Sequence, residues 1–162
     1  MLRWLNANRV NYVLVGPIAE AIRTGAGGVA PVAIVAAPYV RNYERLTRAL
    51  WTAHARQRVD GEPGTVPFKM DVEKLSSKER WTLRCGIYDL DIEGRPAEDS
   101  RYQELLYEAG TYHLAPDLAV DVASPEDIEH YAHIRRTGSE PEIKITRTTR
   151  RNADERDSAS RS

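Results

Sequence analysis

Residues 11–35, NYVLVGPIAEAIRTGAGGVAPVAIV, contain the pattern on which the fold prediction depends. The run at 12–15 is uncharged, rich in β-branched residues and bounded by an asparagine and a glycine, which predicts a short buried strand. Pro17 suits the first turn of a helix, where its missing N–H is not needed, and Gly25 is expected to end that helix. Residues 32–37 are apolar throughout, which predicts a central strand covered on both faces.

The rest of the chain also alternates between helical and extended patterns. A helix is expected over 42–57 with Asn42 as its N-cap, and a loop over 60–68, where glycines and prolines cluster. Further elements are predicted at 2–8 (helix), 81–84 and 87–92 (a hairpin), 100–109 (helix), 118–122 (strand) and 124–136 (helix). The predicted fold class is α/β (α+β), a mixed β-sheet flanked by helices.

Composition favours one domain with a polar tail. The chain has 162 residues, of which 41% are hydrophobic, and a mean hydropathy of -0.54, ordinary values for a globular protein. The last stretch lacks apolar periodicity, so we expect a domain over 1–146 and a disordered polar tail over 147–162. The single cysteine, Cys85, excludes an internal disulfide and is expected to be a small buried side chain.

Charge and motifs limit the classes of partner. The net charge of -1 gives no global basic field, and the sequence shows no helix-turn-helix, RNP-like or zinc-finger pattern. No apolar run approaches the roughly 20 residues that span a bilayer, and the N-terminus lacks the apolar core of a signal peptide. We therefore expect a cytoplasmic protein with no membrane contact and no sequence-specific DNA binding.

Two groups of residues are candidates for ligand binding. Asp89 and Asp91 alternate along the second hairpin strand and therefore share one face, which makes them the candidate catalytic and metal-binding residues. The alternative is that one is an exposed acid and the other pairs with a nearby arginine.

The second group is a candidate phosphate site. Gly25, Gly27 and Gly28 could place backbone N–H groups around a phosphate, with Arg23 supplying a positive charge. The lysine and hydroxyl residue that define a P-loop are missing, and the alternative is a flexible connector between helix and strand.

The order of the predicted elements over residues 2–137 resembles the nucleotidyltransferase superfamily. This is the polymerase-β-like group, which includes minimal nucleotidyltransferases and toxin–antitoxin components. The resemblance is carried by four stretches: RWLNANRVNYVLVGPIAEAIRTG (3–25), RNYERLTRALWTAHAR (41–56), CGIYDLDIEG (85–94) and DVASPEDIEHYAHIRR (121–136).

The resemblance implies metal-assisted transfer of a nucleotidyl group from a nucleoside triphosphate. In that family carboxylates hold Mg²⁺ or Mn²⁺, and a glycine turn at a helix N-terminus holds the triphosphate. Gly16 matches the first position of that turn, and Pro17 stands where a second glycine or a serine is usual. Asp89 and Asp91 match the strand that bears the third acid.

The two paired acids of the family have no counterpart in this sequence. The resemblance aligns Val32 and Ile34 with them, and residues 21–43 contain no aspartate or glutamate at all. Magnesium binds oxygen ligands, so valine and isoleucine cannot replace the lost carboxylates.

Three functions follow as hypotheses. The first is a catalytically impaired nucleotidyltransferase-like protein that acts as a binding or regulatory, antitoxin-like module, with a protein partner, a second copy of itself or a nucleotide. The second is an active but atypical metal-dependent nucleotidyltransferase that uses Asp89 and Asp91, helped by Glu20 or Glu93. The third is a protein-interaction scaffold that binds no nucleotide.

Overall fold

The structure is a computed structural model that describes residues 1–77, 79–94 and 101–138. Within these ranges the chain forms six helices and one eight-stranded mixed β-sheet. The helices are α1 (Leu2–Ala7), α2 (Gly16–Thr24), α3 (Val40–Thr52), α4 (Val72–Ser76), α5 (Arg101–Glu108) and α6 (Pro125–Thr137). The strands are β1 (Tyr12–Val15), β2 (Val32–Ala36), β3 (Arg56–Arg58), β4 (Thr65–Val66), β5 (Trp81–Cys85), β6 (Tyr88–Ile92), β7 (Gly110–Ala115) and β8 (Leu118–Val122). The predicted mixed α/β class is confirmed.

The strands are arranged in the order β4-β3-β5-β6-β2-β1-β8-β7. At the centre, β1 and β2 pair antiparallel, while β6 runs parallel to β2 and β8 runs parallel to β1. All four residues of β1 are buried, and so are the last four of β2, as their continuous apolar runs predict. The core side chains with the least exposure include Leu5, Leu14, Ile34, Leu46, Leu50, Leu83, Leu90, Leu105 and Val122.

The predicted helix at 42–57 and the predicted loop at 60–68 are only partly right. The helix α3 ends at Thr52, and the chain then forms the short antiparallel strands β3 and β4, which extend the sheet beyond β5. Strand β3 has the sequence RQR, which has no apolar alternation, so no local pattern indicates an extended segment. Its partner β5 lies more than twenty residues further along the chain. Strand β7 was also not predicted.

The prediction of Asn42 as a helix N-cap is wrong. Asn42 lies inside α3, is buried, and joins the adjacent ends of the two central strands. Its Oδ1 accepts from the Asn11 amide at 2.7 Å, and its Nδ2 donates to the carbonyl oxygens of Asn11 and Ala37 at 2.8 and 3.0 Å. These bonds satisfy the amide group, which is why a polar side chain is stable at this buried position.

Other predicted element ends are confirmed. Gly25 ends α2 in the left-handed conformation, with φ of 76°. Ser124 caps α6 through a hydrogen bond that its Oγ accepts from the Asp127 amide at 3.1 Å. The predicted tail at 147–162, and the predicted domain end at 146, lie outside the described residues. Within the described ranges, no helix combines the length and the apolar character needed to cross a membrane.

Candidate functional site

The hairpin of β5 and β6 places the predicted acids on one face of the sheet. The strands pair with Cys85 opposite Tyr88, so the turn is Gly86–Ile87, one residue later than predicted. This register puts Arg84 opposite Asp89. Asp91, two residues further along β6, shares the face of Asp89, as the alternation predicts.

Asp91 is held by two guanidinium groups from different parts of the chain. Its Oδ1 accepts from Arg58 Nη1 at 2.7 Å, and its Oδ2 accepts from Arg80 Nη2 at 2.7 Å. The side chain of Asp91 is only 7% exposed. Both oxygens of this buried carboxylate are therefore engaged in short charge-assisted hydrogen bonds.

Asp89 makes similar but more exposed contacts. Its Oδ1 accepts from Arg84 Nε at 2.8 Å, while Arg58 Nε lies 3.8 Å from its Oδ2. The hydrogen bond to Asp89 raises the pKa of the Arg84 guanidinium above its usual value. With 30% of its side chain exposed, Asp89 lies at the solvent edge of the cluster.

Glu93, directly after β6, continues the same face. Arg80 Nε lies 3.2 Å from its Oε1, and Arg135 Nη2 donates to its Oε2 at 3.2 Å. The Glu93 side chain is 1% exposed, so this carboxylate is almost completely desolvated. Of the two auxiliary acids suggested by the sequence, Glu93 therefore joins Asp91, whereas Glu20 is exposed on α2.

These contacts form one alternating arrangement of charges, which we call the arginine–carboxylate network. In order, its members are Arg84, Asp89, Arg58, Asp91, Arg80, Glu93 and Arg135. Four guanidiniums thus surround three carboxylates. Buried charges are tolerated when they are paired and hydrogen-bonded, and here each buried carboxylate contacts two arginines.

The network does not fit a divalent metal ion. A metal bound by Asp91 would lie close to two guanidinium cations and would compete with them for oxygens that already accept hydrogen bonds. Within the part of the chain that the structure describes, no group of three or more His, Cys, Asp or Glu side chains is arranged to hold a metal. The donor set that Mg²⁺ and Mn²⁺ prefer is therefore not assembled around Asp89 and Asp91.

The strand next to β6 contributes no acid to this face. In the parallel pairing of β2 with β6, Ala33 lies opposite Asp91, whereas Val32 and Ile34 lie opposite Leu90 and Ile92. Val32 and Ile34, the positions aligned with the paired acids, therefore face away from Asp91. The residue that does share its face is an alanine.

Gly16, at the turn from β1 into α2, lies at a close approach to α6. Its φ is 76°, and a Cβ at this position would lie 2.9 Å from the Ala33 Cβ and 3.1 Å from Arg135 Nη2. Glycine is required here both by the backbone conformation and by the lack of space. The guanidinium of Arg135 therefore lies against the turn that the resemblance assigns to a triphosphate.

The other predicted phosphate ligands are not brought together with Gly16. Arg23 lies seven residues further along α2, roughly 10 Å along the helix axis. It donates to the carbonyl oxygens of Ala123 and Val122 at 2.6 and 3.2 Å and to the Tyr112 hydroxyl at 3.2 Å. These bonds make Arg23 a connection between α2 and the end of β8.

Gly27 and Gly28 lie in the exposed connection between α2 and β2. A Cβ at either position would meet no atom within 4 Å. No neighbouring protein atom therefore comes close enough to require glycine at either position.

A shallow cavity of about 390 Å³ lies beside the network on the β3 and β5 side. Its lining residues are Gln57, Arg58, Val59, Asp60, Arg80 and Thr82. Arg58 and Arg80 therefore contact Asp91 on one side and the cavity on the other. No sequence pattern pointed to Arg58 or Arg80. The hairpin register, had it been known, would have placed Arg84 opposite Asp89 and Thr82 opposite Asp91.

In comparisons with known proteins, the chain matches no protein-family model and no curated sequence. Function is therefore inferred from the residues of the network, the glycine turn and the cavity.

Proposed function

We propose that the chain is a nucleotidyltransferase-like domain that has lost transfer activity and acts as a binding and regulatory module, in the manner of an antitoxin. The proposal rests on one observation. Asp91, one of the two acids that the resemblance matches to the third metal ligand, accepts hydrogen bonds from Arg58 and Arg80 through both of its oxygens. A carboxylate neutralised in this way has little remaining negative charge with which to hold a divalent cation.

The arrangement of the central strands supports the nucleotidyltransferase-like part of the proposal. Acids on two strands can share a metal only if the strands are close, and β2 and β6 are hydrogen-bonded neighbours. The register places Ala33 directly beside Asp91, where a second carboxylate would complete a metal pair. Neighbouring strands of this kind are what the proposal requires, although Val32 and Ile34, the positions that the resemblance aligns with the paired acids, lie on the opposite face from Asp91.

The position of Arg135 supports the loss of transfer activity. Its guanidinium bonds to the buried Glu93 and lies against Gly16, at the turn expected to receive the triphosphate. A side chain of the protein thus fills space that a substrate phosphate would need. The function that remains for the fold is binding, either of a protein partner, of a second copy of the chain or of a nucleotide.

The test is to measure manganese binding and nucleotidyl transfer on the same purified protein. We expect the electron paramagnetic resonance signal of free Mn²⁺ to be unchanged by added protein, with or without a nucleoside triphosphate. We also expect no release of pyrophosphate above the rate of the Asp91→Asn variant, since Asp91 holds no metal. Stoichiometric Mn²⁺ binding, or pyrophosphate release that Asp91→Asn abolishes, would overturn the proposal.

A second candidate function is favoured by a different observation. Asp89, Asp91 and Glu93 alternate on one face, so an atypical metal-dependent transferase would have three carboxylates on a single strand. Such an enzyme would require the arginines to move away when metal and substrate bind. Metal-dependent turnover lost in both Asp89→Asn and Asp91→Asn would establish this function instead.

A further inference from the structure

Arg58 and Arg80 have more hydrogen-bond donors than the protein uses. Arg58 Nη1 donates to Asp91 and to the Leu83 carbonyl, and Arg80 uses Nη2 and Nε for Asp91 and Glu93. Among the described residues, neither Arg58 Nη2 nor Arg80 Nη1 has an acceptor. Each guanidinium therefore retains a nitrogen that can donate to a ligand.

The cavity beside the network gives these donors a common space. Both arginines line it, and both are only partly exposed. Their ion pairs with the buried Asp91 hold the two side chains in place. Because both guanidiniums bond to the same carboxylate, they lie within reach of a single small group. Thr82, also in the lining, is fixed by a bond from its Oγ1 to the Arg58 carbonyl oxygen at 3.4 Å.

We infer that this cavity is a binding site for a phosphate group, held by Arg58 and Arg80 without a metal ion. The inference is independent of the proposed function, because it requires only these two guanidiniums and the cavity. A phosphate group has at least three peripheral oxygens that accept hydrogen bonds, so it can accept from both arginines at once. Arginine matches the geometry of phosphate, and each of these two arginines gives one terminal nitrogen to Asp91 and retains the other.

The local charge allows an anion but also limits its affinity. The arginine–carboxylate network has one more cation than anions, since four guanidiniums surround three carboxylates. Asp60, the acidic residue in the cavity lining, cancels this excess and opposes an incoming phosphate. The site should therefore bind phosphate more tightly when the charge of Asp60 is removed.

The experiment is a calorimetric titration of the full chain with pyrophosphate, orthophosphate and AMP, at low salt and in the presence of EDTA. We expect heat from saturable binding in EDTA, and a loss of affinity on the order of tenfold or more for Arg80→Gln, because one charged hydrogen bond is lost. Arg56→Gln is the matched control. Arg56 lies on the same face of the sheet as Arg58, but it bonds to Thr65 and does not line the cavity. The affinity of the Arg56→Gln variant for these phosphates should therefore equal that of the wild type.

A second variant protects the test against misfolding of Arg80→Gln. The exposed Asp60 is outside the network, and Asp60→Asn should tighten binding roughly two- to fivefold. Tighter binding of AMP than of orthophosphate would assign the phosphate to a nucleotide, and tighter binding of pyrophosphate would assign it to a free polyphosphate. No saturable binding in EDTA, or equal affinities for wild type, Asp60→Asn and Arg80→Gln, would overturn the inference.

Discussion

The two faces of the β5–β6 hairpin are built from the same two strands but stabilised in different ways. One face presents Leu83, Leu90 and Ile92 to the core, and the other presents Asp89 and Asp91 to arginines. Apolar burial is non-directional, so many neighbours can supply it. A buried carboxylate needs donors at specific positions, and those come from β3, from the start of β5 and from α6. The apolar face therefore depends on composition, and the charged face depends on the exact neighbours.

The largest expected effect is on the apolar face. Leu90 is fully buried, and Leu90→Ala should lower the free energy of unfolding by about 3 kcal/mol through lost burial and a residual cavity. Urea denaturation measures this difference. Ile87→Ala, in the turn of the same hairpin and 85% exposed, is the control and should change stability by less than about 0.5 kcal/mol. Equal losses for the two variants would remove the distinction between core and turn.

A smaller effect is expected on the charged face. Asp91→Asn removes the charge shared by Arg58 and Arg80 and turns an amide N–H toward one of them, which should cost about 1–3 kcal/mol. Asp89→Asn is the matched variant on the same face. Asp89 is more exposed, so its loss should stay below about 1 kcal/mol in the same urea measurement. A larger loss at Asp89 than at Asp91 would contradict the difference in burial.

The smallest effect concerns Cys85, which faces the core at the end of β5. Burial, with a smaller contribution from the charge of Asp89, raises the pKa of its thiol to about 11. The thiolate fraction near pH 8 is then about one hundredfold lower than for an ordinary thiol with a pKa of 9.0, and thiol–disulfide exchange should be correspondingly slower in the folded chain. Reaction with a chromogenic disulfide, with and without urea, measures this. Rapid reaction of the folded protein would contradict the buried position.

The same shift predicts the sign of a pH dependence. Between pH 9.0 and about 11 the unfolded chain loses the Cys85 proton while the folded chain keeps it. Folding stability therefore falls as the pH rises through this window, and it is unaffected by this group below it. Cys85→Ala should show a shallower decline than wild type in urea midpoints measured across that range.

The sequence predicts those parts of the fold that are determined locally. The buried strands β1 and β2, the cap at Ser124 and the stop at Gly25 all follow from residue types next to one another. Strand β3 could not be predicted in this way, because its polar residues become extended only when β5 supplies a partner. The same reason explains Asn42, whose partners Asn11 and Ala37 lie next to the ends of the two central strands and not in its own helix.

The candidate site likewise has a part that follows from local sequence and a part that depends on long-range contacts. Alternation alone places Asp89 and Asp91 on one face, and the register of the hairpin confirms it. The arginines that hold them come from positions that no short pattern connects to the hairpin. Arg58 lies 33 residues before its partner Asp91, in a strand that the sequence assigned to other structure. Long-range ion pairs of this kind can be predicted only when the order of the strands in the sheet is known.

The contacts of Arg135 can form only late in the synthesis of the chain. The ribosome synthesises Gly16 and Glu93 well before it reaches Arg135, yet the guanidinium of Arg135 lies against the first and bonds to the second. Until α6 leaves the exit tunnel, Glu93 can be buried only with Arg80 beside it, and the space next to Gly16 stays open. A turn near the start of the chain is therefore completed by a side chain from the last helix that the structure describes.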